Sequence, residues 1–275
     1  MNRSPWPFRL QIVLLWVGHL ARVLGENCVR FIVLTAPLIE LYRRESTPHR
    51  EGGPDLLTVS YQPVWVVVAS ALPALALLPV LGRFARREVA RTSLVASTLL
   101  ALAVVAACLF TGSYTLIALA AISATSAVYA ASRSVLLPEL ARGAAVPLVR
   151  LRASLAAFAA LGVVGGVWLG AAYAAFDPFA EFAQTEYARS ARAEPAGTLS
   201  PAAGVAFAAF AVAFLALLPL RLLPRGPEEP WADNISVPEG MTARWAWILR
   251  HRDAAAPLTA LVVGGVVLLG AVYLV

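Results

Sequence analysis

Lysine is missing from this sequence, and all 22 basic residues are arginine. Cysteine occurs only twice and histidine three times in 275 residues. Cys28 and Cys108 both fall in apolar runs, which argues against a disulfide framework, and His19, His49 and His251 lack metal-ligand spacing. No metal and no cofactor is expected. Charge is scarce too: charged residues make up 14% of the chain, against about a quarter in ordinary soluble domains. What fills the gap is apolar, at 60% hydrophobic residues and a mean hydropathy of +0.74. A soluble fold has too little interior to hide that much apolar surface, so the chain needs lipid and leaves no room for a soluble catalytic domain. The net charge of +6 could suggest a nucleic-acid partner. The arginines, however, sit in short stretches between apolar runs, which makes them a topology signal, and no nucleic-acid partner is expected.

The apolar runs predict an all-α, polytopic bundle of seven membrane helices, over residues 10–38, 60–82, 92–112, 114–134, 152–176, 203–223 and 256–275. The first run follows Arg3 and Arg9 in the manner of a signal peptide. It resumes after Arg30 without an evident small-residue cleavage site, and is read as an uncleaved helix. Three units follow: a six-helix bundle over 1–223, a linker with a short amphipathic helix over 224–255, and a seventh helix over 256–275. In the linker, Met241, Trp245 and Ile248 recur at helical spacing.

Arginine placement sets the orientation. Arg3 and Arg9, Arg83, Arg86, Arg87 and Arg91, Arg133, Arg142, Arg150 and Arg152, and Arg221, Arg225, Arg244, Arg250 and Arg252 fall on one side. Arg43, Arg44, Arg50, Arg189 and Arg192 fall on the other, where 41–59 and 177–201 read as polar outer loops. Fifteen against five predicts a cytoplasmic N-terminus.

Two arginines remain, and they lie inside the first span. Arg22, Glu26 and Arg30 are spaced by four and stack on one helical face, with His19 one turn earlier and Asn27 beside Glu26. A charge at the bilayer centre costs about 2.5–3.5 kcal/mol on insertion scales. The stripe is therefore expected to face other helices or water, with Glu26 between the two guanidiniums. It either lines a substrate cavity or locks helix packing. Ser126, Tyr129 and Arg133 share a face of the fourth span and are further cavity candidates, with packing or snorkelling as the alternative. Gly162, Gly166 and Gly170, with Gly165, form a ridge on the fifth span that admits a close helix neighbour.

Taken together these segments resemble the N-terminal half of a major facilitator superfamily transporter, in the branch that includes bacterial lysophospholipid transporters. HLARVLGENCVR at 19–30 is similar to that branch's first-helix signature, with Glu26 on the acidic position, Asn27 on an asparagine and Arg30 on the basic one. SAVYAASRSVLLPEL at 126–140 resembles the end of its fourth helix, with Arg133 on the basic position. WILRHRDAAAPL at 247–258 and LLGAVYL at 268–274 resemble the central loop and seventh helix. The cytoplasmic loop motif departs: Gly82 is kept, but Arg86 stands where the superfamily has aspartate, followed by Arg87.

The resemblance implies a multi-pass protein of the bacterial inner membrane. It implies a secondary transporter, not an enzyme, moving a small amphipathic or lysophospholipid-like solute by alternating access. The family has about twelve helices in two halves, so the resemblance also implies a truncated chain or a second chain supplying the C-terminal half. The alternative is a non-transporting scaffold or degenerate half-transporter. An intramembrane enzyme would need a nucleophile with a base, a carboxylate pair or a metal triad at one depth, and the sequence offers Glu26 as the lone carboxylate within a span.

Overall fold

The computed structural model describes residues 6–45, 56–81, 87–111, 115–175 and 201–223, with side-chain detail for 7–35, 61–73, 76–77, 89–110, 115–170 and 204–223. The cytoplasmic loop positions Gly82 and Arg86, the linker at 224–255 and the seventh helix at 256–275 lie outside the described residues. So does the Arg87 side chain.

Every described element is helical: α1 (Trp6–Glu45), α2 (Leu56–Leu81), α3 (Arg87–Thr111), α4 (Leu116–Gly143), α5 (Leu148–Ala175) and α6 (Pro201–Leu217), which tightens into a 3-10 turn at Leu218–Arg221. Among the described residues, five segments are long and apolar enough to cross a bilayer: Pro7–Thr35, Val89–Phe110, Leu116–Gly143, Leu148–Gly170 and Gly204–Arg221. The protein is a helical membrane bundle.

Several boundaries differ from the sequence expectation. α1 runs on to Glu45 and α2 starts at Leu56, which shortens the expected outer loop at 41–59. α3 begins at Arg87, so Arg87 and Arg91 belong to a helix and not to the loop before it. α4 continues to Gly143, well beyond residue 134, with Pro138 and Arg133 inside it. Hydropathy undercounts α4 because its last turns carry polar residues that are buried against protein rather than lipid.

The helix ends follow local chemistry. Thr115 caps α4, its hydroxyl accepting from the Ala118 N–H at 3.2 Å. At the other end the Val146 N–H reaches the Ala141 carbonyl at 2.8 Å and the Ala145 N–H reaches that of Arg142 at 3.1 Å. This double return is a Schellman motif. Its left-handed residue is Ala145, at φ 55°. The nearby Gly143 serves packing instead, because a Cβ there would collide with the Phe8 ring.

Two apolar clusters fix the helix directions. One joins Phe8, Ile12 and Leu15 of α1 with Ala90 and Leu94 of α3, Leu136–Leu140 of α4, Leu151 and Leu155 of α5, and Leu217 after the body of α6. The other joins Val29 and Val33 of α1 with Val66 of α2, Ala101 and Val105 of α3, Leu119 and Ile122 of α4, and Ala206 and Phe210 of α6. The starts of α1, α3 and α5 thus share a level with the ends of α4 and α6. Successive helices alternate in direction.

The packing has an internal symmetry. α1 packs most extensively on α5 and α6, and α4 packs most extensively on α2 and α3. Exchanging α1 with α4, α2 with α5 and α3 with α6 turns one set of neighbours into the other, and α3 with α6 into itself. Because each unit has three helices, an odd number, the two units run in opposite directions. α1 is the most buried candidate span.

The glycine ridge on α5 meets α1. A Cβ on Gly166 would lie 2.5 Å from the Leu24 carbonyl oxygen, one on Gly162 would lie 2.9 Å from Val23, and one on Gly170 would lie 2.9 Å from Phe31. These three glycines allow the two backbones to approach. Gly165 differs, since a Cβ there would meet only Leu24 at an ordinary 3.6 Å.

Candidate functional site

The symmetry makes α1 and α4 the paired central helices, and the charged residues lie between them. α1 and α4 run antiparallel, so ascending positions on one meet descending positions on the other. His19 faces Arg133, Arg22 faces Thr125 and Tyr129, and Glu26 faces Ser126.

Arg22 is 1% exposed and sits near the middle of the Pro7–Thr35 span. Its Nη1 donates to Thr98 Oγ1 at 2.8 Å, and its Nη2 donates to Thr125 Oγ1 at 2.9 Å and to Ser126 Oγ at 3.3 Å. Each hydroxyl sends its own proton elsewhere: Thr98 to the Leu94 carbonyl, Thr125 to the Ile122 carbonyl and Ser126 to Glu26 Oε2 at 2.6 Å. All three therefore present lone pairs to the guanidinium. The Arg22 Cζ also lies 4.6 Å from the centroid of the Tyr129 ring.

Glu26 pairs directly with one cation. Oε1 accepts from Arg30 Nη2, and Oε2 accepts from Ser126. Glu26 has a guanidinium on each side but in unequal contact: Arg30 pairs with it directly, while Arg22 turns to the hydroxyls of α3 and α4 and acts on the carboxylate across Ser126. α1 reaches α4 closely enough for a short hydroxyl to bridge, which a sequence pattern on α1 alone does not contain. Arg30 is 35% exposed at its side chain and also donates to Asn27 Oδ1 at 3.4 Å. Asn27 in turn donates to the Val23 carbonyl at 2.8 Å.

The upper corner of the cluster is aromatic. His19 stacks on Tyr129 with centroids 5.9 Å apart and planes 14° from parallel. Arg133 Nη1 lies 2.6 Å from His19 Nε2, and the Arg133 Cζ lies 5.9 Å from the Tyr129 centroid. A guanidinium has only protons to offer, so the histidine must meet it as a neutral ring. All eight polar candidates from the sequence thus fall in one contiguous cluster. The sequence reading missed Thr98 and Thr125, whose role depends on which helix faces Arg22.

It also missed a second buried pair. Arg91 Nη2 and Glu139 Oε1 are 2.8 Å apart, with side chains 5% and 4% exposed. Glu26 is therefore not the lone carboxylate within the spans. Arg91 further donates to the carbonyls of Leu223 at 3.0 Å and Leu220 at 3.4 Å. Those carbonyls lie at the end of α6, where helical carbonyls run out of partners within the helix. One arginine thus ties the start of α3 to the ends of α4 and α6.

Fold and cluster together define the class: a multi-pass helical membrane protein with ionised side chains held at mid-span between its two central helices. No protein family, curated protein or solved structure matches the chain.

Proposed function

We propose that this protein is a secondary transporter of the major facilitator type, or the N-terminal portion of one. In this reading it moves a small amphipathic or lysophospholipid-like solute across a bacterial inner membrane by alternating access. The observation that carries the reading is the cluster of Arg22, Glu26, Arg30, His19, Tyr129 and Arg133 at the level where the two central helices cross mid-span. Ionisable groups buried in a membrane are costly, and they characteristically mark substrate and ion pathways.

The internal exchange of α1–α3 with α4–α6 supports the same reading. Inverted three-helix repeats with a site near the midplane are the architecture on which alternating access operates. Exposed Arg9, Arg142, Arg150, Arg152 and Arg221 gather at the end of the bundle where α1 begins, which supports a cytoplasmic N-terminus.

The test is uptake of a labelled single-chain phospholipid by cells expressing the protein. Glu26→Gln keeps the size and the Ser126 contact but removes the charge that balances Arg30. Uptake should fall to background while the protein stays inserted at normal levels. Uptake that is unchanged would remove Glu26 from the mechanism, and no uptake by the unmodified protein would favour a scaffold.

A further inference from the structure

We infer that the corner of the cluster formed by Arg22, Tyr129 and Arg133 is an anion subsite, and that the ligand it receives carries net negative charge, as a phosphate monoester does. This rests on reading the cluster as the substrate site and names the chemistry of what enters it.

The charge count is the first ground. Arg22, Arg30 and Arg133 remain protonated, because a guanidinium does not give up its proton in a protein. Glu26 supplies one negative charge, and Arg30 already holds it. Glu139, the other carboxylate among the described side chains, is held by Arg91. Arg22 and Arg133 contact hydroxyls, an imidazole and an aromatic face, and Glu26 acts on Arg22 only across Ser126, so the cluster's three guanidiniums share one carboxylate among the described residues. A net excess of two positive charges inside a membrane protein is a standing cost that an anionic ligand would relieve.

The second ground is unused donors. Arg22 Nε, Arg133 Nε and the Tyr129 hydroxyl are all buried and lack a hydrogen-bond partner. Tyr129 is 3% exposed and Arg22 is 1% exposed. Both guanidinium carbons lie within 5.9 Å of the Tyr129 centroid, so the spare donors surround one ring. Oxyanions suit such a set, since each oxygen accepts from more than one donor. All three atoms are occluded in the packed bundle, so an anion enters when α1 and α4 part at this level.

A zwitterionic ligand fits less well. Its ammonium would have Glu26 as its counter-charge, and that carboxylate is already paired with Arg30 and hydrogen-bonded by Ser126. The subsite therefore separates anions from zwitterions of equal chain length.

The experiment is binding to the full chain in dodecyl maltoside micelles, read by calorimetric titration. The probes are hexyl phosphate, hexylphosphocholine and inorganic phosphate. Hexyl phosphate should bind at least ten-fold more tightly than hexylphosphocholine. Arg133→Gln should lose about ten-fold for hexyl phosphate, and Tyr129→Phe about five-fold. Tyr129→Phe deletes a hydroxyl that has no hydrogen-bond partner among the described residues, so it tests the ligand contact without disturbing the bundle. Inorganic phosphate binding as tightly as hexyl phosphate supports the subsite with a free anion as its ligand. Weaker binding of inorganic phosphate supports it with an anionic amphiphile. Equal affinity for hexyl phosphate and hexylphosphocholine, or affinity unchanged in both variants, overturns the inference. Selective binding of hexyl phosphate with no uptake in cells would sink the transporter reading and leave the subsite standing. Uptake confined to zwitterions would do the reverse.

Discussion

Ser126 is the smallest side chain on which the central cluster depends. Its hydroxyl donates to Glu26 Oε2 at 2.6 Å and accepts from Arg22 at 3.3 Å. Ser126→Ala removes both. The Arg22 contact is long, and Arg22 keeps Thr98 and Thr125 at 2.8 and 2.9 Å, so its loss contributes little. The Glu26 contact dominates. Hydrogen bonds between helices in membranes average about 0.6 kcal/mol and reach about 1.7, and a charged acceptor roughly doubles the strength of a neutral one. We expect a loss of about 1.5 kcal/mol, or about ten-fold in the folding equilibrium. Denaturant titration in bicelles measures it. Ser123→Ala is the control, because that hydroxyl, on the same helix and more deeply buried, has no hydrogen-bond partner among the described residues; it should change stability by less than about 0.5 kcal/mol. A double-mutant cycle with Glu26→Ala, which removes the acceptor, should show coupling of about 1 kcal/mol. If Ser126→Ala behaves like Ser123→Ala, or the cycle is additive, then Ser126 does not hold the carboxylate and the wiring of the cluster is wrong.

Other perturbations separate the remaining features. Breaking the Arg91–Glu139 pair with Glu139→Leu should cost about 3 kcal/mol by stranding a buried cation. Arg91→Leu should cost more, because it also orphans the Leu220 and Leu223 carbonyls; chemical unfolding compares the two. Gly166→Val should push α5 off α1 and lower the thermal midpoint sharply, while Gly165→Ala should be tolerated, since only the former meets backbone. Ala145→Gly should stabilise the protein by about 1 kcal/mol, because Ala145 is exposed and holds a left-handed conformation that costs a side chain about that much. A lower melting point for that variant would place the strain elsewhere.

How far the sequence carried depends on what each pattern encodes. The Arg22–Glu26–Arg30 stripe was legible because one helix determines its spacing, and its inward orientation followed from the cost of charge in lipid. Tyr129 and Arg133 were legible by the same rule on α4. Thr98 was not: a threonine in an apolar run reads as ordinary filling, and only the approach of α3 to Arg22 gives it a partner. The Arg91–Glu139 pair was hidden differently. Arg91 sits beside a run of loop arginines, and Glu139 follows Pro138, a residue that suggests a helix has ended. Burial by neighbouring helices, rather than local propensity, keeps α4 helical through that point.

The sequence by itself determined that the chain is a helical membrane protein, roughly where each described helix lies, and which residues could not face lipid. Those properties depend on apolar length and on the penalty for charge, both of which are local. The tertiary structure decided which helices are partners, that α1–α3 and α4–α6 exchange, and that Glu26 meets Ser126 while Arg22 does not reach it. Such pairings join residues about a hundred positions apart, through packing shapes and close backbone contacts that no periodicity along a single helix records.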